Sequence, residues 1–218
     1  MTHPLDDPSR GADAVKAALI EAAAARLGEA GPSSVSVRDV ARRAGVNHGQ
    51  IHHYFRGKRG LLVAAMRKLA RDHFRKTREK SADGVIPPTF GLADDPDYWR
   101  AVCQVVMAGD LELARIEVDE DISVPRRALA ALMERYGIAE GDLDFKARFA
   151  AVTALQLGWV ALEDFVLLVS DVADEDRAEV RERAKGLLEE WMKYALSDER
   201  SAEPRGVARR PDPEESTR

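Results

Sequence analysis

The stretch Val35-Ser36-Val37-Arg38-Asp39-Val40-Ala41-Arg42-Arg43-Ala44-Gly45-Val46-Asn47-His48-Gly49-Gln50-Ile51-His52-His53-Tyr54-Phe55 decides the fold of this chain. It carries two sets of helix start signals. Ser36 is a good N-cap residue, Asp39 stands where it can return a bond to the Ser36 backbone N–H, and Val35 and Val40 can close a hydrophobic staple. Asn47, Gln50, Val46 and Ile51 repeat the same grammar. Between them, Gly45 can take the left-handed conformation that ends a helix. Two short capped helices joined by a tight turn with a glycine form a helix-turn-helix, here over residues 36–55.

The second helix of the pair has an unusual outer face. At about 100° per residue, turning Ile51 inward brings Phe55 beside it. Gly49 and His53 then lie nearly opposite, with Gln50 and His52 at the sides. Amide and imidazole groups can hydrogen-bond base edges, and the glycine lets the backbone approach closely. In helix-turn-helix proteins this second helix enters the major groove and reads bases with its N-terminal residues. Gln50 can equally be occupied in its capping box. Arg38, in the first turn of the preceding helix, and Lys58, at the start of the following one, suit phosphates. Arg42, Arg43, Arg56 and Arg59 read as ordinary surface charge. His48 and His52 have metal-ligand spacing but no third ligand in view, so no metal or cofactor is expected.

Outward from this motif, almost everything reads as helix. Val15, Ala18, Leu19, Ala22, Ala23 and Leu27 make one apolar stripe, ended by Gly31-Pro32. A longer helix runs from near Lys58 to about Lys80. Residues 81–95 hold Gly84, Pro87, Pro88, Gly91 and Asp94-Asp95 and read as a loop joining two modules. Helical patterns resume near Asp97 and Val124, then over 142–170 and 174–196. Strand signals and internal repeats are absent from the sequence. The expected class is all-α: a polar tail over 1–11, a three-helix DNA-binding domain with its connecting helix over 12–80, a helical bundle over 81–196, and a disordered tail over 197–218.

The net charge of −5 hides an asymmetry. Residues 1–80 hold 16 Lys/Arg against 8 Asp/Glu, a balance of +8, while residues 81–218 hold 17 against 30, a balance of −13. All five histidines also fall in the first 80. A basic module joined to an acidic one is expected when one end meets phosphates. No apolar run approaches the roughly 18 to 20 residues of a membrane span, and the polar start lacks the features of a signal peptide. No membrane partner is therefore expected. A cytoplasmic location fits, and the single Cys103 excludes an intrachain disulfide. No catalytic serine, cysteine or histidine setting and no glycine-rich phosphate loop is recognisable, which argues against an enzyme.

The helix over 142–170 carries two apolar series. One is Val152, Leu155, Trp159, Leu162, Val166 and Val169; the other is Ala150, Ala154, Leu157, Ala161, Phe165 and Leu168. Gln156, Glu163 and Ser170 fall seven apart on one narrow polar stripe. Such a helix needs cover from two directions. Leu187 and Trp191 belong to a matching pattern on the last helix, so a two-fold, four-helix interface between two copies is expected. Tyr98, Trp99, Cys103 and Met107, with Trp159, are candidates to line a pocket in the acidic module, though each can equally be plain core. The acids along 110–121 suit a cationic ligand or a solvated loop equally.

Residues 35–46, then Gly49 to Phe55 and Lys58, resemble the N-terminal domain of TetR-family regulators, a match covering about residues 13–73. The resemblance implies that Arg38 and His48, Gly49 and Gln50 approach bases, that His52 and Tyr54 reach phosphate or base, and that Lys58 meets phosphate. With the caps Ser36 and Asn47 and the outer His53, these form the expected surface for double-stranded DNA. His52 stands where the family usually has tyrosine, and Tyr54 where it often has histidine, so an operator sequence cannot be carried over from a relative. The resemblance also implies a homodimer built on the last two long helices. A small-molecule effector of unknown identity would bind in the bundle and shift the spacing of the DNA-reading heads, releasing a repressor from a palindromic site. A dimeric regulator with no such effector, controlled by a partner protein or by abundance, is the alternative.

Overall fold

The computed structural model describes residues 8–196, with side chains from Gly11 onward. The expectation of a disordered tail over 197–218 lies outside the described residues. So does most of the N-terminal tail, but α1 (Pro8–Ser34) begins at Pro8, inside the stretch expected as tail. Proline at a first helical position leaves no N–H unsatisfied. The helix breaks at Gly31 (φ 73°, ψ 170°), where the glycine-proline pair predicted its end. There follow α2 (Val37–Arg43), α3 (Gly49–Phe55) and α4 (Lys58–Lys80). After a 3-10 turn at Gly91–Asp94 come α5 (Pro96–Met107), α6 (Leu111–Ala114), α7 (Ile116–Asp119), α8 (Val124–Arg135), α9 (Leu143–Val169) and α10 (Arg177–Leu196). The described residues contain no strand. The short α6 and α7 stand where the sequence read only an acidic loop.

The N-terminal core is built from Leu19, Leu27, Val40, Ile51, Leu61 and Met66, all essentially without exposed surface. This core does not stop at residue 80. Tyr98, Ala101 and Val105 of α5 and Leu113 of α6 are buried in the same cluster. The loop over 81–95 therefore separates two runs of sequence but not two cores: α5 lies against α1. Charge strengthens this join. Arg59 at the start of α4 pairs with Asp110 and Glu112, and Arg67 and Arg71 pair with Glu120. Exposed pairs contribute at most about 1 kcal/mol each, but together they tie α4 to the α6–α7 segment along its length. A smaller second cluster gathers Leu132, Phe145, Val152, Ala195 and Leu196 from α8, α9 and α10.

Contrary to the sequence expectation, α9 is long and apolar enough by length and composition to cross a membrane, with a mean hydropathy of 1.6 over its most apolar stretch. Its inward stripe is the one that carries the polar residues. Phe145, Val152 and Leu167 are buried, and Gln156 and Glu163 share that stripe. The polar residues face the protein because each has a partner there. The Gln156 carbonyl oxygen accepts from the Phe90 backbone N–H at 3.4 Å, and Glu163 accepts from Arg181 Nε at 2.7 Å.

Candidate nucleic-acid interface and ligand cavity

The helix-turn-helix forms as its start signals predict, with one change at each cap. Ser36 Oγ accepts from the Asp39 N–H at 3.4 Å. Asp39 does not complete the capping box: its carboxylate is taken by Arg42 and by Arg26 Nε at 2.9 Å. Asn47 Oδ1 accepts from the Gly49 N–H at 2.8 Å, one residue ahead of the N-cap, where His48 stands without a side-chain bond instead of the expected Asn47. Gln50 does not return the bond; among the described residues its side chain has no hydrogen-bond partner. Gly45 takes φ 68° in the turn.

The expected DNA surface is brought together and left open. Ser36, Arg38, Asn47, His48, Gly49, His52 and His53 are exposed, and Gln50, Tyr54 and Lys58 are half-buried. Tyr54 is partly a packing residue: its ring sits edge-on to His53 at 4.7 Å, and Lys16 Nζ lies 5.3 Å from the ring centre. Lys58 Nζ donates to the Ser33 carbonyl at 3.0 Å, which holds α4 against the end of α1. An ammonium has three donors, so two remain for an outside acceptor. The arginines divide by partner. Arg42 and Arg43 pair with Asp39 and Glu29, and Arg59 with Asp110. Arg38 and Arg56 have no ion pair among the described residues.

A residue that sequence reasoning missed controls the angle between α3 and α4. A Cβ at Gly60 would lie 1.9 Å from the Phe55 carbonyl oxygen. The backbone at the end of α3 occupies the space a side chain would need. The signal was available as a glycine in the first turn of α4, but only the packed geometry gives it meaning.

Behind this head, α4, α5, α8, α9 and α10 enclose a partly open cavity of about 180 Å³. Of the five residues expected to line a pocket, Tyr98, Trp99 and Cys103 do. Met107 does not: it ends α5 and is 86% exposed. Trp159 does not either, because its ring stacks on Phe90 at 5.1 Å and its indole N–H donates to Glu163 at 3.2 Å. Val152, expected at a dimer interface, instead lines this cavity and is 2% exposed, so it is unavailable to a partner. Leu155, Leu162, Leu187 and Trp191 lie on the outside, and Val166 is half-buried.

The polar side of the cavity was not anticipated. His73, on the apolar stripe of α4, stacks on Tyr98 with ring centres 4.0 Å apart and places Nδ1 3.1 Å from Asp95. Lys76 donates to the other Asp95 oxygen at 2.8 Å. Burial pushes the His73 pKa below its ordinary value, outweighing the pull of Asp95. The Tyr98 hydroxyl donates to Glu117, and burial with that carboxylate raises its pKa well above the ordinary range. Burial likewise raises the Cys103 thiol, which favours its neutral form. The spacing Leu69, His73, Thr77 on α4 was the available signal for this edge.

Comparison with known proteins agrees with this geometry. Residues 19–65 match the family described as bacterial regulatory proteins, tetR family. The HTH-type transcriptional regulator BetI of Yersinia pestis (strain Pestoides F) is 53% identical over 53 residues, 24% of this chain and 27% of that protein. BetI of Pectobacterium carotovorum subsp. carotovorum (strain PC1) is 53% identical over 51 residues, 23% of this chain and 26% of its own length. The aligned part thus spans about a quarter of these relatives' length. A crystal structure described as a TetR-family transcriptional regulator from Rhodococcus sp. shares the fold, with a TM-score of 0.56 at 22% identity over 85% of this chain and 100% of that one. Residues 19–65 are thus similar to the DNA-binding domain of the tetR family of bacterial regulatory proteins, and the all-helical chain shares the fold of the Rhodococcus structure.

Proposed function

We propose that the protein is a DNA-binding transcriptional repressor, not an enzyme. It acts in the cytoplasm as a homodimer on a palindromic operator and is released by a small molecule bound in the cavity behind the head. The observation that carries the DNA-binding part is the outer face of α3, where the side chains of Gln50, His48 and His52 have no hydrogen bond among the described residues. Polar groups held outward on a rigid helix, with the exposed Arg38 and the spare donors of Lys58 beside them, suit base edges flanked by phosphates.

The dimer is supported by the outer side of α9 and α10. Leu155, Leu162, Phe165, Leu168 and Leu187 are each more than half exposed. An apolar face of this extent suits an isologous interface, in which the same patch meets itself across a two-fold axis. Two heads held that way address half-sites about 34–36 Å apart. The route from cavity to head is α4, which carries His73 and Thr77 on the cavity wall and Lys58 at its other end.

Selection of bound duplexes from a random pool tests this reading. Recovery of an inverted repeat is expected, and binding indifferent to sequence would overturn it. A small molecule that raises Tm and releases the selected duplex establishes effector control. A regulator whose DNA affinity no bound molecule alters is the effector-free alternative.

A further inference from the structure

We infer that the cavity takes a small amphipathic cation, an apolar body of about one ring with a protonated amine directed at Glu117. The inference rests on the reading of this cavity as a ligand site. It comes from the charges around the cavity wall, which do not cancel. Lys76 is paired with Asp95 and Lys80 with Asp94, each at 2.8 Å. His73 already faces Asp95. Glu117 alone has no ion pair among the described residues; it accepts from the Tyr98 hydroxyl and from Ser123 Oγ, the latter at 2.8 Å. A carboxylate has about four lone-pair sites, so two remain.

The other acids of the same segment are occupied. Asp110 and Glu112 pair with Arg59, Asp119 with Arg115, Glu120 with Arg67, and Asp121 with Arg127. One carboxylate of this run is left over, and it is the one that lines the cavity. Around it the wall is aromatic and soft, with Tyr98, Trp99, Phe149 and Met192. Aromatic faces attract cations, and an uncompensated charge beside an apolar wall interacts more strongly than the same charge in water. An anionic ligand would have to displace Asp94 or Asp95 from its lysine and would still meet Glu117. A cavity of about 150 Å³ holds benzene, so about 180 Å³ accommodates a single ring with a short arm.

Calorimetric titration of the full chain at neutral pH with three probes of one size tests this. Protonated 2-phenylethylamine is expected to bind at least about tenfold tighter than 2-phenylethanol or 3-phenylpropionate, a gap of about 1.4 kcal/mol. In Glu117→Gln, whose amide oxygen can keep the Tyr98 bond while its NH2 donates to Ser123 Oγ, the amine should fall to the level of the alcohol. Unchanged affinity for the alcohol would show that the variant's cavity is intact. Equal binding of the three probes, preference for the anion, an amine preference that survives in Glu117→Gln, or no binding of any probe would each overturn the proposal. Release of the selected duplex is measured separately. Glu117-dependent amine binding without release leaves the ligand class standing and removes the effector role.

Discussion

Ile51 at the centre of α3 has no exposed surface, whereas Leu162 near the middle of α9 keeps 54% of its own. Both are aliphatic residues on amphipathic helices. The head closes its core within one chain, from α1 to α4 with α5 and α6 added. The outer part of the bundle buries one stripe of α9 and leaves another uncovered. The difference is one of completeness: the head is finished within one chain, and the α9–α10 face leaves exposed apolar surface that the proposed second copy would cover. It also explains where kinship is detectable, since the matched residues 19–65 lie inside the finished unit.

The largest effect is expected where the head is tightest. Gly60→Ala would drive a methyl into the Phe55 carbonyl and should cost about 3 kcal/mol, at the upper end of overpacking penalties; urea denaturation measures it, and a loss under about 0.5 kcal/mol would mean that α3 and α4 meet differently. On the unfinished face, Leu162→Glu with Phe165→Glu should weaken dimerisation at least about 100-fold, since two buried charges oppose each other across the axis. Sedimentation should find monomers with the head still folded. A dimer of unchanged strength would move the interface elsewhere.

Smaller effects sharpen the contrast between reading and holding. Gln50→Ala should cost about 1–3 kcal/mol at one base position and little on random duplex; equal losses on both would return Gln50 to a local structural role. His73 joins head and cavity, and its pKa is depressed in the folded chain. The unfolded state therefore binds the extra proton first. The stability due to neutral His73 is complete above the unfolded value of about 6.5 and is lost as pH falls through the window below it. Melting followed from pH 7.5 to 5.5 should show a steeper acid loss for the native chain than for His73→Phe. Lys58→Ala should lower the slope of log affinity against log salt by about one unit on every duplex, and an unchanged slope would leave Lys58 only its bond to Ser33.

The head was legible because its signals are local. Ser36, Asn47 and Gly45 each act within a few residues; Ser36 caps and Gly45 turns as their spacing predicts, and Asn47 bonds the first N–H of α3 from one residue before the cap. The capping boxes were only half legible, because Asp39 pairs with Arg26 of α1 and with Arg42 one turn on, not with the Ser36 N–H. The cavity was legible in Tyr98, Trp99 and Cys103 on one face of α5, but not in His73, Asp95 and Glu117, which three separate segments bring together. The register of α9 misled for a physical reason. Gln156 and Glu163 look like a solvated stripe, yet they turn inward to bond Phe90 and Arg181, while Leu155, Leu162 and Leu168 turn out. Hydrophobic periodicity finds the faces of a helix without saying which faces its own chain.

The central claim is that two finished heads, held by the unfinished faces of their bundles, read one two-fold site. Sedimentation of the full chain with a selected inverted-repeat duplex tests it most directly, alongside the same duplex with one half-site scrambled. Two chains per intact repeat are expected, with affinity on the half-scrambled duplex lower by at least about 100-fold. One chain per duplex, or equal affinity for both duplexes, would contradict the account.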